Sequence, residues 1–206
     1  MDDIKILLVD DHAVMRVGLA SLLGTQKGLC VIGDAGDGET ALRKAQKLKP
    51  DVAIVDLMMP GLDGVETTRR LKETLPGIHV LILTTYGTAD GIGHALDAGA
   101  EGALVKTAEL PELLAAIKAV AAGKRFLAAE VRQLLAEEPT LPELSARQLE
   151  VLESVTRGLT NDDIARQLGI AVPTVSEHLN AIFSKIGASN RTEAVAIALR
   201  RHLLKT

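Results

Sequence analysis

The stretch Val52-Ala53-Ile54-Val55-Asp56-Leu57-Met58-Met59-Pro60-Gly61 decides how this chain is read. Four apolar residues are followed by one acid and a Pro-Gly loop. A run that short and that apolar reads as a strand buried on both faces. A carboxylate at the C-terminal end of such a strand points into the crevice where open α/β sheets place their chemistry. A second run, Ile4-Lys5-Ile6-Leu7-Leu8-Val9, ends in the same way, on Asp10 and Asp11. Three acids at two strand ends make a hard, oxygen-rich site suited to a divalent cation.

Outward from these runs the pattern repeats. Strands are expected at about 4–9, 29–34, 52–56, 79–84 and 102–105. Helices are expected at about 13–23, 37–48, 63–74, 90–98 and 109–122, with Gly28, Pro50, Gly61, Pro76 and Gly99 as punctuation. Five βα units predict a doubly wound, five-stranded parallel sheet with helices on both faces. Gly123 closes this first domain, 1–123. Residues 124–141 read as a linker with a short helix at 127–135, broken by Pro139 and Pro142. Residues 142–206 read as helices only. Ser145, Thr160 and Asn190 stand as caps, and Gly158 and Gly169 as stops. Pro173 suits a first helical turn, and the fourth helix is expected to run to about 204. Two short helices joined by a tight Gly-containing turn are the helix-turn-helix signature, so the second domain is a small all-α four-helix module.

Bulk properties narrow the class. At 206 residues two domains are expected. Aromatics are limited to Tyr86, Phe126 and Phe183, so the core must be aliphatic. The one cysteine, Cys30, sits in an apolar run and reads as core, which excludes a disulfide framework. No stretch is long enough to span a bilayer, and the acidic start is unlike a signal peptide, so a cytoplasmic protein without membrane contact is expected. Residues 1–123 hold 12 Lys and Arg against 17 Asp and Glu, whereas 142–206 hold 8 against 7. The chain thus joins an acidic domain to a nearly neutral one.

Two further groups belong with the acids. Lys106 follows the fifth strand and Thr84 ends the fourth, so an ammonium and a hydroxyl reach the same crevice. Mg²⁺ takes carboxylates together with phosphate oxygens and water, and phosphoryl transfer needs cations on the remaining phosphate charge. One Asp at a strand end is ordinarily a turn or cap, and Asp11 could cap the first helix. Five such groups at matching strand ends make that reading a repeated coincidence.

Residues 1–123 resemble a response-regulator receiver domain, a flavodoxin-like module. The matches are Val9-Asp10-Asp11, Asp56-Leu57-Met58-Met59-Pro60-Gly61-Leu62-Asp63-Gly64, Thr84 and Lys106. The resemblance implies that Asp56 is phosphorylated by a sensor histidine kinase. It implies that Asp10, Asp11, Asp56 and the Met58 backbone carbonyl hold Mg²⁺, that Thr84 bonds the phosphoryl group and that Lys106 pairs with it. Two positions depart from the family. Ala103 stands where many receivers carry a switching aromatic, with Tyr86 as the nearest substitute. Thr107 stands where a cis proline is common.

In the third helix of 142–206, Val175, Leu179, Ile182, Phe183 and Ile186 form one apolar stripe, which leaves Ser176, Glu177, Asn180, Ser184 and Lys185 outward. As the second helix of a helix-turn-helix this is the element that enters a major groove of double-stranded DNA. The segment resembles the LuxR-type DNA-binding domain through Leu144-Ser145-Ala146-Arg147-Gln148-Leu149-Glu150, Gly158-Leu159-Thr160-Asn161, Thr174-Val175-Ser176-Glu177-His178-Leu179 and Asn190-Arg191-Thr192-Glu193. Together the halves resemble the NarL/FixJ class of response regulators. The DNA-facing candidates are Thr160, Asn161, Thr174, Ser176, Glu177, His178, Asn180 and Lys185. Gln148, Ser176 and Asn180 replace charged residues common in the family. Asn suits adenine and Glu suits cytosine.

The expected function is a transcription regulator rather than an enzyme, switched by Mg²⁺-dependent phosphorylation and a homodimer when phosphorylated. Ala194, Val195, Ala198 and Leu199 offer an apolar surface for that dimer, or for packing inside the module. A metal-dependent phosphohydrolase with Asp56 as nucleophile is the rival, but Met58 occupies a plausible place for its general acid. A receiver whose second module binds a protein partner is a third reading.

Overall fold

A computed structural model of the chain describes residues 3–85, 88–138, 140–201 and 203–204. It divides into two compact units, Met1–Pro139 and Thr140–Thr206. No helix among the described residues is long and apolar enough to cross a membrane.

The first unit is a parallel sheet in the order β2-β1-β3-β4-β5-β6. Its strands are β1 (Ile4–Val9), β2 (Leu29–Ala35), β3 (Val52–Val55), β4 (His79–Thr84), β5 (Gly102–Val105) and β6 (Phe126–Leu127). Helices α1 (Ala13–Gly24), α2 (Gly38–Leu48), α3 (Gly64–Thr74), α4 (Ala89–Asp97) and α5 (Leu110–Ala121) connect them, and α6 (Ala129–Glu137) follows β6. All four residues of β3 are buried, as its unbroken apolar run requires. Asp37, Asp63 and Thr88 start α2, α3 and α4 by accepting from amides three residues on. The largest fully buried side chains here are all Ile or Leu, among them Ile6, Leu8, Leu71, Leu81, Ile82, Leu104 and Ile117. Burying each such side chain is worth roughly 1.5–3 kcal/mol.

Register is what assembles the site. Val9 lies opposite Val55, Val55 opposite Ile82, and Thr84 opposite Val105. The residues that leave these strands therefore emerge side by side.

Two expectations are corrected. The sheet has six strands, not five, and Phe126 and Leu127 of the expected linker form the sixth. Phe126 and Ala128 amides donate to the Glu101 and Ala103 carbonyls at 2.9 and 3.2 Å, so the outer edge of β5 is covered. Gly102 permits this approach, because a Cβ there would come within 2.9 Å of the Phe126 carbonyl oxygen. Cys30 is exposed rather than core. It lies on β2, the edge strand, where the faces are only partly covered.

The second unit consists of α7 (Ala146–Thr156), α8 (Asn161–Leu168), α9 (Val172–Ile186) and α10 (Arg191–Arg200). Ser145 with Gln148, and Thr160 with Asp163, form complete capping boxes on α7 and α8. Gly169, at φ 65°, ends α8 in the left-handed region. Val151, Leu152, Ile164, Val175, Leu179 and Ile182 form the core of this unit. α10 stops at Arg200, short of the expected 204. The chain turns there, and the Leu203 amide donates to the Ala198 carbonyl at 3.0 Å, which returns Leu203 to the core.

Candidate functional site

At the C-terminal end of the first sheet, carboxylate oxygens of Asp10, Asp11 and Asp56 and a ring nitrogen of His12 all lie within 4.8 Å of one another. Asp10 and Asp56 are buried, at 4 % exposure each. A buried carboxylate needs a partner, and Lys106 supplies it to both. Its ammonium lies 2.6 Å from Asp10 Oδ2 and 2.7 Å from Asp56 Oδ2, with the lysine side chain itself only 4 % exposed. Burial alone would lower the Lys106 pKa. The hydrogen bonds and charges of Asp10 and Asp56 outweigh it and hold the group above the ordinary lysine range, a fixed cation at neutral pH.

The other atoms of the site are less committed. Asp56 Oδ1 receives the Met58 amide at a long 3.4 Å. Thr84 is fully buried, and among the described residues its Oγ1 has no hydrogen-bond partner. Buried hydroxyls are rarely left so. Asp11 does not cap α1: the N-cap is His12, with no side-chain cap bond. Asp11 instead faces the His12 ring at 2.7 Å. Gly64 lets the loop close over Asp56, because a Cβ there would come within 2.2 Å of the Asp56 carbonyl oxygen. The donor set fits a hard divalent cation with a phosphate beside it: three carboxylates, one fixed cation and one unpaired hydroxyl.

Asp10, Asp11, Asp56 and Lys106 thus converge, and Thr84 ends the neighbouring strand β4. His12 and Arg16 were not anticipated. The signal for His12 was its adjacency to Asp10 and Asp11. Arg16 lies a full helical turn beyond the acids, and nothing in the local sequence marks it. Ala103 is fully buried in β5, where no rotating ring exists. Tyr86, the expected substitute, lies outside the described residues.

In the second unit the candidates separate. Glu177 and Asn180 are exposed on α9, and Thr174, Ser176 and His178 are half-buried. Asn161 Nδ2 reaches Ser176 Oγ at 3.4 Å, so the start of α8 and the outer face of α9 meet. Arg191 joins them. It donates to Asn161 Oδ1 at 3.3 Å and also to the Leu159 carbonyl. Lys185 does not project freely outward: its ammonium bonds the Glu143 carbonyl at 2.8 Å and Gln148 Oε1 at 3.0 Å. Thr160, though exposed, is held in its capping box, and Asp162 and Asp163 make the first turn of α8 acidic. On α10, Ala194 and Ala198 are buried in the module's own core, and Val195 packs against it. Of the expected dimer surface only Leu199 stays exposed.

Comparison with known proteins agrees with both halves. Residues 6–118 match the response regulator receiver domain, and residues 142–198 match the bacterial regulatory proteins of the luxR family. Response regulator protein VraR of Staphylococcus aureus is 36% identical over 207 residues, covering 98% of this chain and 99% of that protein. The crystal structure of response regulator ChrA of a heme-sensing two-component system is 39% identical, with a TM-score of 0.60, covering 99% of this chain and all of that one. RcsB from Salmonella enterica serovar Typhimurium, bound to promoter P1flhDC in the presence of the phosphomimetic BeF3-, is 26% identical, with a TM-score of 0.67 over 95% of this chain and 98% of that one. A receiver's acidic crevice on a parallel sheet, followed by a luxR-family helical module with relatives matched from end to end, places this chain among the two-component response regulators with a LuxR-type DNA-binding domain.

Proposed function

We propose that this chain is a phosphorylation-controlled transcription regulator. Asp56 accepts a phosphoryl group from a sensor histidine kinase, and the modified protein forms a homodimer that binds a specific sequence of double-stranded DNA. The observation that carries the reading is the meeting of Asp10, Asp56 and Lys106 within 2.7 Å contacts, with Thr84, whose hydroxyl has no partner among the described residues, at the end of the neighbouring strand.

Asp10, Asp11, Asp56 and the Met58 carbonyl would hold Mg²⁺. When bound, it neutralises phosphate oxygens that would otherwise repel the acids. The residues of the chain divide the remaining work. Lys106 holds Asp56 Oδ2 and orients the carboxylate, so Oδ1, met only by the long Met58 contact, is the attacking oxygen. It displaces the imidazole of the kinase's phosphohistidine. Thr84 then donates its hydroxyl hydrogen to a phosphoryl oxygen, which gives a buried orphan its partner. Lys106 pairs with another.

On the DNA side, Ser176, Glu177 and Asn180 read base edges from α9, with Thr174 and His178 beside the backbone. Thr160 and Asn161 approach phosphate from α8, with Arg191 as the cation beneath. Two half-sites in the operator would mirror the dimer's twofold symmetry.

Incubation with acetyl phosphate and Mg²⁺, followed by peptide mapping, tests the reading. Label is expected on Asp56, absent from Asp56→Ala and without divalent ion, and retained in Lys106→Ala with a weakened response. A gel shift with and without phosphodonor then reads the coupling to DNA. Label that persists in Asp56→Ala sinks the assignment.

A further inference from the structure

Asp10 faces two ways, and each is held by a different cation. Its carboxylate points forward to Lys106. Its backbone carbonyl points back and accepts from Arg16 Nη1 at 2.5 Å. The same guanidinium donates from Nε to Asp34 Oδ2 at 2.9 Å. Arg16 lies on α1 and Asp34 on β2, so one side chain ties the loop between β1 and α1 to the neighbouring strand. The Arg16 side chain is 17 % exposed. A Cβ at Gly36 would come within 3.4 Å of Arg16 Nη1, so this position in the chain after β2 leaves little room beyond the guanidinium itself. Lys44 of α2 donates to the Asp34 carbonyl and steadies that anchor in turn.

The need for such a tie follows from where the acids sit. Asp10, Asp11 and His12 lie between the end of β1 and the start of α1, beyond the ladder and before the helix. The Asp10 amide still reaches the Ala35 carbonyl at 3.1 Å. The peptide that follows carries Asp11, and its orientation is set by the Asp10 carbonyl. Rotation of that peptide would carry the Asp11 carboxylate away from Asp10 and Asp56. A planar guanidinium donating to two acceptors on different elements resists that rotation, which a single ammonium cannot do.

We infer that Arg16 is a positioning residue of the phosphoacceptor site, holding the Asp10 peptide so that Asp10, Asp11 and Asp56 present their carboxylates to one divalent cation. The inference rests on the proposed Mg²⁺ site but not on phosphorylation itself, because metal binding can be read alone. Partners that orient metal ligands are worth about 10–100-fold in affinity when removed.

The experiment compares the full-length wild type with Arg16→Ala and Arg16→Lys. Mn²⁺ binding is followed by the electron paramagnetic resonance signal of the free ion. Separately, the rate of labelling by acetyl phosphate is followed against Mg²⁺ concentration. Both variants are expected to bind Mn²⁺ about tenfold more weakly and to need correspondingly more Mg²⁺ for half-maximal labelling. The labelling rate at saturating Mg²⁺ should stay near that of the wild type, because Arg16 touches neither Asp56 nor the phosphoryl donor. Should Arg16→Ala unfold by circular dichroism, Arg16→Lys decides alone, since it keeps the charge and the apolar stem. Unchanged Mn²⁺ affinity in the folded variants overturns the inference, as does a saturated rate that collapses with metal affinity intact. Wild type that binds Mn²⁺ but takes no label, with binding weakened in the variants, keeps Arg16 in its role and removes Asp56 from its own. Wild type that binds no Mn²⁺ overturns both.

Discussion

The acidic end of the receiver sheet and the DNA-facing side of the helical module treat charge in opposite ways. In the first, Lys106 and Asp56 are 50 residues apart in sequence, and sheet register brings them together with the cation matched by two carboxylates. In the second, Lys185 and Arg191 donate to carbonyl and amide oxygens, none of them charged. The first region leaves a net negative charge around one buried cation, which suits a further divalent cation. In the second, the ion pairs of the described residues include neither Lys185 nor Arg191, so their positive charge is immobilised by neutral oxygens, an arrangement suited to a polyanion. The near-neutral sum over 142–206 conceals this, because Asp163 of α8 caps its own helix and pairs with Arg166 at 2.5 Å.

The contrast can be broken most sharply through the cores. Leu152 is fully buried in the second unit. Leu152→Ala should cost that unit on the order of 4 kcal/mol. DNA binding is expected to vanish while acetyl phosphate still labels Asp56, as read by gel shift and peptide mapping on one sample. Loss of both would show one cooperative body in place of two. Gly64→Ala strikes the other side. Its Cβ would meet backbone atoms of Asp56 and Leu57 within 2.2 and 2.6 Å, at a cost of about 3 kcal/mol. Labelling and the receiver's thermal transition should fall, with the helical module melting as before.

Smaller effects sharpen the comparison. Glu177 is exposed on α9. Glu177→Ala should tighten non-specific binding and lose about 1–3 kcal/mol of preference at one base pair. Titration of a selected and a scrambled duplex at several salt concentrations measures both. The smallest effect concerns Glu101, in the receiver but away from its site. Burial pushes its carboxyl up, but Lys72, the Val80 amide and His79 together hold it below the ordinary glutamate range. A carboxylate with a depressed folded-state pKa contributes stability above its unfolded pKa and loses it as pH falls through the folded value. Glu101→Gln should therefore flatten the acid limb of stability, measured as the urea midpoint from neutral pH downward. An acid limb of unchanged slope would remove Glu101 from the account.

Much of this was legible because it was local or periodic. Apolar runs with Pro and Gly punctuation place β1 to β5, and the capping residues place α7, α8 and α10, with Pro173 at the first turn of α9. Asp10, Asp56, Thr84 and Lys106 were legible because each stands where a strand ends. β6 was not, because two residues carry no alternation and its evidence is a pair of hydrogen bonds to another strand. Arg16 and Lys185 were not, because a long side chain can reach away from its apparent face, and only the fold says what it finds there.

The aliphatic core has an optical consequence. The chain has no tryptophan and a single tyrosine, and its two phenylalanines, Phe126 and Phe183, are each only half-buried. No indole emission is present to obscure a reporter. One tryptophan introduced at Phe126 would be the sole indole of the molecule, attached to the strand that closes the sheet, and its emission would report whether that strand stays paired when Asp56 is modified.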